Sequence, residues 1–179
     1  NWTARYGGAD NVLGAANVRL INIDRANVLG LDESDPNAAD DIIVKELHLP
    51  VGRKVNFKFR SQDVLHSAYM PQFRAQMNCV PGMTTEFSFT PTVTTAEMRQ
   101  RPETAEKVKR TNALRAERAA RGEPDSDLWE CDYVLLCNKI CGKSHYNMQM
   151  KIIVESEEEY QAWLEGQKTF NQTMASMQP

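Results

Sequence analysis

Two short stretches of this chain alternate apolar and polar residues with a strict period of two. Val55, Phe57 and Phe59 are interleaved with Lys54, Asn56, Lys58 and Arg60, and Thr85, Phe87 and Phe89 with Glu86, Ser88 and Thr90. Successive side chains of an extended backbone point to opposite faces, so this pattern turns an aromatic face inward and a polar face to water, as in half-buried antiparallel strands. Further strands are predicted at Val18 to Ile23, Ile42 to Leu49, Trp129 to Leu136 and Met148 to Val154. Turn signals such as Pro50-Val51-Gly52 and Pro81-Gly82 separate them. Many short strands punctuated in this way predict an all-β sandwich or barrel.

The strand pattern lapses over Ala96 to Asp127, which carries eight Lys or Arg, seven Asp or Glu and no aromatic residue. That composition cannot form a core and favours a solvated helix or helical hairpin, inserted between strands and ending near Gly122-Glu123-Pro124. Ser156-Glu157-Glu158-Glu159 fits a capping box ahead of Tyr160, Trp163 and Leu164, so a short C-terminal helix is predicted there. With 179 residues the chain is long enough to bury a real core without a metal or disulfide to hold it. The organisation expected is one domain over residues 1–168, interrupted by the insertion at 96–127, and a frayed tail over 169–179.

A net charge of −3 with no clustered basic face argues against nucleic acid as a partner. No apolar run approaches the roughly 20 residues that span a bilayer, and the start, Asn1 to Arg5, is neither a signal peptide nor an anchor, so the chain as given is expected to be soluble. No Cys-x-x-Cys-His occurs, which removes covalent c-type haem.

Chemistry concentrates between Cys137 and Met148. Two thiols, an imidazole and a thioether fall within twelve residues, spaced Cys-x3-Cys-x3-His-x2-Met through Cys137, Cys141, His145 and Met148, and His66 offers a second imidazole upstream, in a separate loop. Thiolate and thioether donors select soft metals, and a Met ligand favours copper over zinc. A mononuclear blue-copper site needs one Cys, two His and a weak axial Met, which would leave one cysteine without a task. If both sulfurs bridge two copper ions, every residue named is used and the electron is shared over two metals, which suits electron transfer rather than substrate chemistry. A zinc site of two cysteines and two histidines is the rival on ligand chemistry alone. The blandest alternative is buried thiols, a satisfied histidine and a Met that merely starts a strand.

Three blocks, His66-Ser67-Ala68-Tyr69-Met70-Pro71, Val80-Pro81-Gly82 and Cys137 through Met148, resemble the signature blocks of cytochrome c oxidase subunit II in their usual order. The similarity runs from about Trp2 to Leu164, apart from the insertion. It implies a cupredoxin-like Greek-key β-barrel or sandwich holding a binuclear CuA centre, with two copper ions and no haem. Carried over residue by residue, Cys137 and Cys141 would bridge the coppers, His66 and Met148 would complete one, and His145 with the backbone carbonyl of Lys139 the other.

The resemblance also implies a setting. The domain would be an electron-transfer subunit of a haem-copper terminal oxidase on the periplasmic face of the bacterial inner membrane. It would take electrons from cytochrome c and pass them to haem in subunit I, where oxygen is reduced to water. The membrane would be joined through an N-terminal transmembrane hairpin that these residues do not include. Trp2 resembles the aromatic cluster through which cytochrome c delivers its electron, although an ordinary packed Trp reads nearly as well. The acidic run Asp32, Glu33, Asp35, Asp40 and Asp41 could steer a basic cytochrome or simply be a solvated loop, and it lacks the spacing of a calcium loop.

The chain departs from the commonest family pattern at Lys139, where Glu usually reaches a second metal ion at the subunit I interface, and at Asn78 and Met83, where Asp and Arg commonly flank the Pro-Gly turn. His48, Cys79 and Cys131 match no ligand position. His48 reads as an ordinary polar residue and the two cysteines as buried thiols, with a disulfide between them left open. Three rivals remain on the sequence. The CuA domain of a nitrous oxide reductase is nearest, although Gly142 after the second cysteine and Trp2 look like the oxidase form. A copper chaperone would not distribute ligands over a rigid barrel. A catalytic thiol or zinc hydrolase lacks an evident general base.

Overall fold

The computed structural model describes residues 1–124 and 127–176. Nine strands and four helices follow one another as β1 (Ala4–Tyr6), β2 (Ile42–Val44), β3 (Leu47–Pro50), β4 (Val55–Phe59), β5 (His66–Met70), β6 (Ala75–Cys79), β7 (Thr85–Phe89), α1 (Thr95–Gln100), α2 (Pro102–Ala120), β8 (Tyr133–Cys137), β9 (Gln149–Glu155), α3 (Glu157–Glu165) and α4 (Phe170–Ala175).

The main sheet has the order β3-β9-β8-β5-β6, with β3 parallel to β9 and the other neighbours antiparallel. The two stretches with the clearest alternation pair with each other as β4 and β7, Phe57 opposite Phe87. β1 pairs with β2 in a third, small sheet. This is the mainly β, cupredoxin-like architecture anticipated from the sequence, built as separate sheets over a shared core rather than one closed barrel.

The core is filled by the inward face of each strand. Leu47 and Leu49 of β3, Tyr133 and Leu135 of β8, and Met150, Ile152 and Val154 of β9 are buried together with Phe59 of β4. Each fully buried aliphatic side chain contributes about 2 kcal/mol, so a shared core stabilises strands that would be marginal in isolation. Phe73 ties the sheets together, its ring 4.8 Å from that of Phe89 and 4.7 Å from that of Tyr133. The phase that buries Tyr133 and Leu135 also turns Cys137 inward, at the very end of β8.

Several expectations need correction. Val18 to Ile23 is not a strand: Val18–Leu20 is a 3-10 turn capped by the side chain of Asn17, and none of its residues is buried. Ile42 to Leu49 divides at Lys45-Glu46 into β2 and β3, which join different sheets. Trp129 to Leu136 shrinks to a strand beginning at Tyr133, and His66 opens β5 rather than lying in a loop.

The tail read as frayed holds α4. Thr169 and Gln172 form a capping box, Phe170 N–H donates to Asp41 O at 2.6 Å, and Phe170 and Met174 are buried with Leu31 and Ala38. Residues 177–179 of that tail lie outside the described residues.

The insertion is helical, as expected, but it is pinned at both ends. Thr95 Oγ1 accepts the Val154 N–H at 2.8 Å, Met98 and Thr104 are buried, and Asn112 exchanges hydrogen bonds with both backbone groups of Trp129 at 2.8 and 3.1 Å. Gly122, with φ +79, closes α2 in the left-handed region that glycine tolerates best. Asp125 and Ser126 lie outside the described residues.

Candidate metal centre

The five side chains singled out in the sequence, and one carbonyl, converge at one end of the main sheet. β5 begins with His66 and β8 ends with Cys137, adjacent strands in the sheet. The loop that follows is held shut by its own backbone. Asn138 N–H donates to Ser67 O at 2.9 Å, and Cys137 N–H to Met148 O at 3.0 Å, so the twelve-residue segment leaves and rejoins the sheet at nearly the same place. Gly142, with φ +133, makes the sharp bend directly after Cys141. A 3-10 turn at His145–Asn147 then brings His145 and Met148 back toward the thiols.

The Sγ atoms of Cys137 and Cys141 are 3.7 Å apart. Around them, His66 Nδ1 lies 3.7 Å from Cys137 Sγ and Lys139 O lies 3.2 Å from the same sulfur. On the other side, His145 Nδ1 is 3.5 Å and Met148 Sδ 3.6 Å from Cys141 Sγ. The donor atoms of His66, Cys137 and Cys141 all fall within 4.8 Å of one another, the distance range of a shared metal. Met148 is buried, whereas the Ile140 and Tyr146 side chains of the loop stand 86% and 89% exposed.

Burial alone would raise the Cys137 thiol. Hydrogen bonds with the backbone at Ser67 and Lys139, and with His66 and Cys141, outweigh it and bring the thiol down to about 6. Cys141 moves the other way, raised by burial and by the neighbouring Cys137. The pair is thus poised to present one thiolate readily and to gain a second once positive charge arrives between them.

No protein-family model matches the chain. A relative from Bradyrhizobium diazoefficiens, an alternative cytochrome c oxidase subunit 2, is 38% identical over 171 residues, or 94% of this chain. The chain is a homologue of cytochrome c oxidase subunit 2. It spans 48% of the length of that relative. Cytochrome c oxidase subunit 2 of Thermostichus vulcanus is 27% identical over 123 residues, covering 68% of this chain and 26% of that protein. Among solved structures, the periplasmic domain of subunit II of cytochrome oxidase (CoxB) of Bradyrhizobium japonicum is similar at a TM-score of 0.46 and 20% identity, over 69% of this chain and 63% of that one.

In this subunit 2 homologue Trp2 sits against the centre. Its indole Nε1–H donates to Met148 O at 3.3 Å, the carbonyl that also accepts from Cys137 N–H, and its ring meets that of His66 edge-on at 6.1 Å. His48 has a different environment: buried in β3, it binds Glu155 Oε1 through Nδ1 at 2.7 Å and stacks on Trp163 at 3.9 Å. Cys79 and Cys131 are free, buried thiols. Cys79 pairs across from His66 in the sheet, and burial raises its thiol.

The acidic run is mostly spent on architecture. Asp32 and Asp35 accept backbone N–H bonds from Ser34 and Asn37, Asp40 from Ala9 and Asp10, and buried Asp41 pairs with Arg5. One side chain that contacts the cluster was not singled out in the sequence. Asp63, three residues before His66, binds its Nε2 at 2.8 Å.

Proposed function

We propose that this chain is the electron-accepting domain of a haem-copper terminal oxidase, holding a binuclear CuA centre in the cleft around Cys137 and Cys141. The observation that carries this reading is the even distribution of donors about the two sulfurs. His66 near Cys137 and Met148 near Cys141 form one set, and Lys139 O near Cys137 and His145 near Cys141 form the other. Each set has one imidazole nitrogen on one side of the sulfur pair and one weak donor, a thioether or a carbonyl oxygen, on the other, so two soft ions between the thiolates would each receive two sulfurs, one imidazole and one weak axial donor. A single zinc ion would leave half of these donors idle.

Such a centre stores and releases one electron with little change in ligand position. The protein's share of the work is to hold the donors rigid. Both thiols, both imidazoles and the thioether are anchored to β5, β8 and β9 or to the hydrogen-bonded loop between them, so the site is pre-organised by the sheet.

Trp2 is the electron's entry point from a cytochrome c, through its contacts with Met148 O and His66. The acceptor is haem in a membrane-embedded subunit I, on the periplasmic side of a bacterial inner membrane, in keeping with the cytochrome c oxidase subunit 2 relatives. Among the described residues no helix is long and apolar enough to cross a membrane. Lys139 supplies a copper-facing carbonyl while its exposed ammonium pairs with acidic groups or propionates on subunit I, in the place of a second metal ion.

Rapid mixing of the copper-loaded chain with a reduced c-type cytochrome tests the electron-accepting role. One electron per chain should pass from the cytochrome, and the chain alone should consume no oxygen. Transfer no faster than with the copper-free chain would remove the reading.

A further inference from the structure

The two imidazoles of the centre are not held alike. Nδ1 of His66 faces Cys137 Sγ at 3.7 Å, while Nε2 on the far side of the same ring lies 2.8 Å from Asp63 Oδ1. His145 turns Nδ1 to Cys141 Sγ at 3.5 Å, and none of the described residues binds its Nε2. One ring is braced by a carboxylate and the other is not.

The brace is itself fixed. Ser61 Oγ reaches Asp63 Oδ1 at 3.4 Å and donates to Val64 O at 2.5 Å, and Ser61 bridges to Pro81 of the neighbouring turn. On its other flank His66 meets the edge of Trp2. An ionised carboxylate only accepts, so Nε2 must carry the ring proton, and the lone pair of a neutral imidazole is left on Nδ1, toward the thiols.

We propose that Asp63 is a positioning residue of the metal centre, which fixes the orientation and proton placement of His66 and makes the two halves of the centre electronically unequal. The inference rests on the copper reading above for its second half only. A carboxylate behind a metal-bound imidazole raises the basicity of that ligand and favours the more positive metal. Asp63 therefore stabilises the oxidised centre and draws positive charge toward the half held by His66. The side chain of Asp63 is 71% exposed, so water weakens the effect and its replacement leaves the core untouched.

Asp63→Ala and Asp63→Asn test this in two settings. In the metal-free chain, ring proton and nitrogen resonances of His66 report the brace directly. The Nε2 proton should exchange with solvent roughly tenfold faster in Asp63→Ala, the worth of one hydrogen bond to a charged group, with Asp63→Asn between. In the copper-loaded chain, loss of the carboxylate should weaken the oxidised form relative to the reduced by up to about tenfold, a rise of about 59 mV for one electron. The hyperfine-shifted signals of His66 should move while those of His145 stay.

Equal exchange rates in parent and Asp63→Ala, metal-free, overturn the brace whether or not copper binds. An unchanged potential and unchanged His66 signals in the loaded variant overturn its influence on the centre. A parent chain with the brace intact that fails to take up two coppers supports the positioning and removes the electron-transfer reading instead.

Discussion

Cys137 Sγ and Cys141 Sγ face each other at 3.7 Å, each with a histidine Nδ1 on its outer side. If these sulfurs bridge two coppers as proposed, replacing either by oxygen removes a donor that soft metals prefer. Cys137→Ser and Cys141→Ser should each abolish the two-copper absorption while leaving the far-ultraviolet circular dichroism unchanged. A serine variant that kept delocalised two-copper absorption would show that the sulfurs do not bridge.

Met148 is buried, with Sδ 3.6 Å from Cys141 Sγ. A thioether is a weak axial donor that favours the oxidised metal, so Met148→Leu, which keeps the volume, should retain both coppers and raise the reduction potential. Voltammetry giving the parent potential would count against Met148 as a ligand.

Trp2 touches the centre through Met148 O and the His66 ring without offering a metal donor. Trp2→Phe should leave the copper spectrum as it is and slow electron uptake from a cytochrome several-fold. A normal rate in stopped-flow mixing would reduce Trp2 to a packing residue.

Lys139→Ala keeps the carbonyl and loses the ammonium. The copper spectrum of the isolated domain should persist, while electron transfer to haem slows or subunit association loosens in the assembled oxidase. Disturbed copper binding with a normal assembled enzyme would contradict both roles given to this residue.

Much of the site was legible because thiols, imidazoles and a thioether announce soft-metal chemistry wherever they crowd together, as Cys137, Cys141, His145 and Met148 do. His66 entered the donor set only as an available second imidazole, and resemblance gave it a place, since its contact with Cys137 is made across neighbouring strands, 71 residues away. Asp63 escaped notice because an aspartate in a polar turn looks like any turn residue until its carboxylate is placed on an imidazole.

The strands β4 and β7 were readable from Phe57, Phe59, Phe87 and Phe89, whose alternation survives in the sheet. Val18 to Ile23 has similar local hydrophobicity yet forms a turn, because strand formation needs a partner edge and the Asn17 cap offered a local alternative. The tail was misread for the converse reason. Phe170 and Met174 are isolated apolar residues in a polar stretch, and their burial depends on Leu31 and Ala38 from a distant loop.

That last contact is measurable. Truncating a buried aromatic costs about 3 kcal/mol, so Phe170→Ala should lower the thermal midpoint by about 6–12 °C in a chain of this size. A midpoint within error of the parent would return residues 169–176 to a loose tail.

The central claim, two coppers sharing one electron between the sulfurs of Cys137 and Cys141, is tested most directly by metal analysis with electron paramagnetic resonance on the copper-loaded, oxidised chain. The account predicts two coppers per chain and a single unpaired electron with hyperfine coupling to both nuclei. One copper with an ordinary mononuclear spectrum, or stoichiometric zinc in its place, would contradict it.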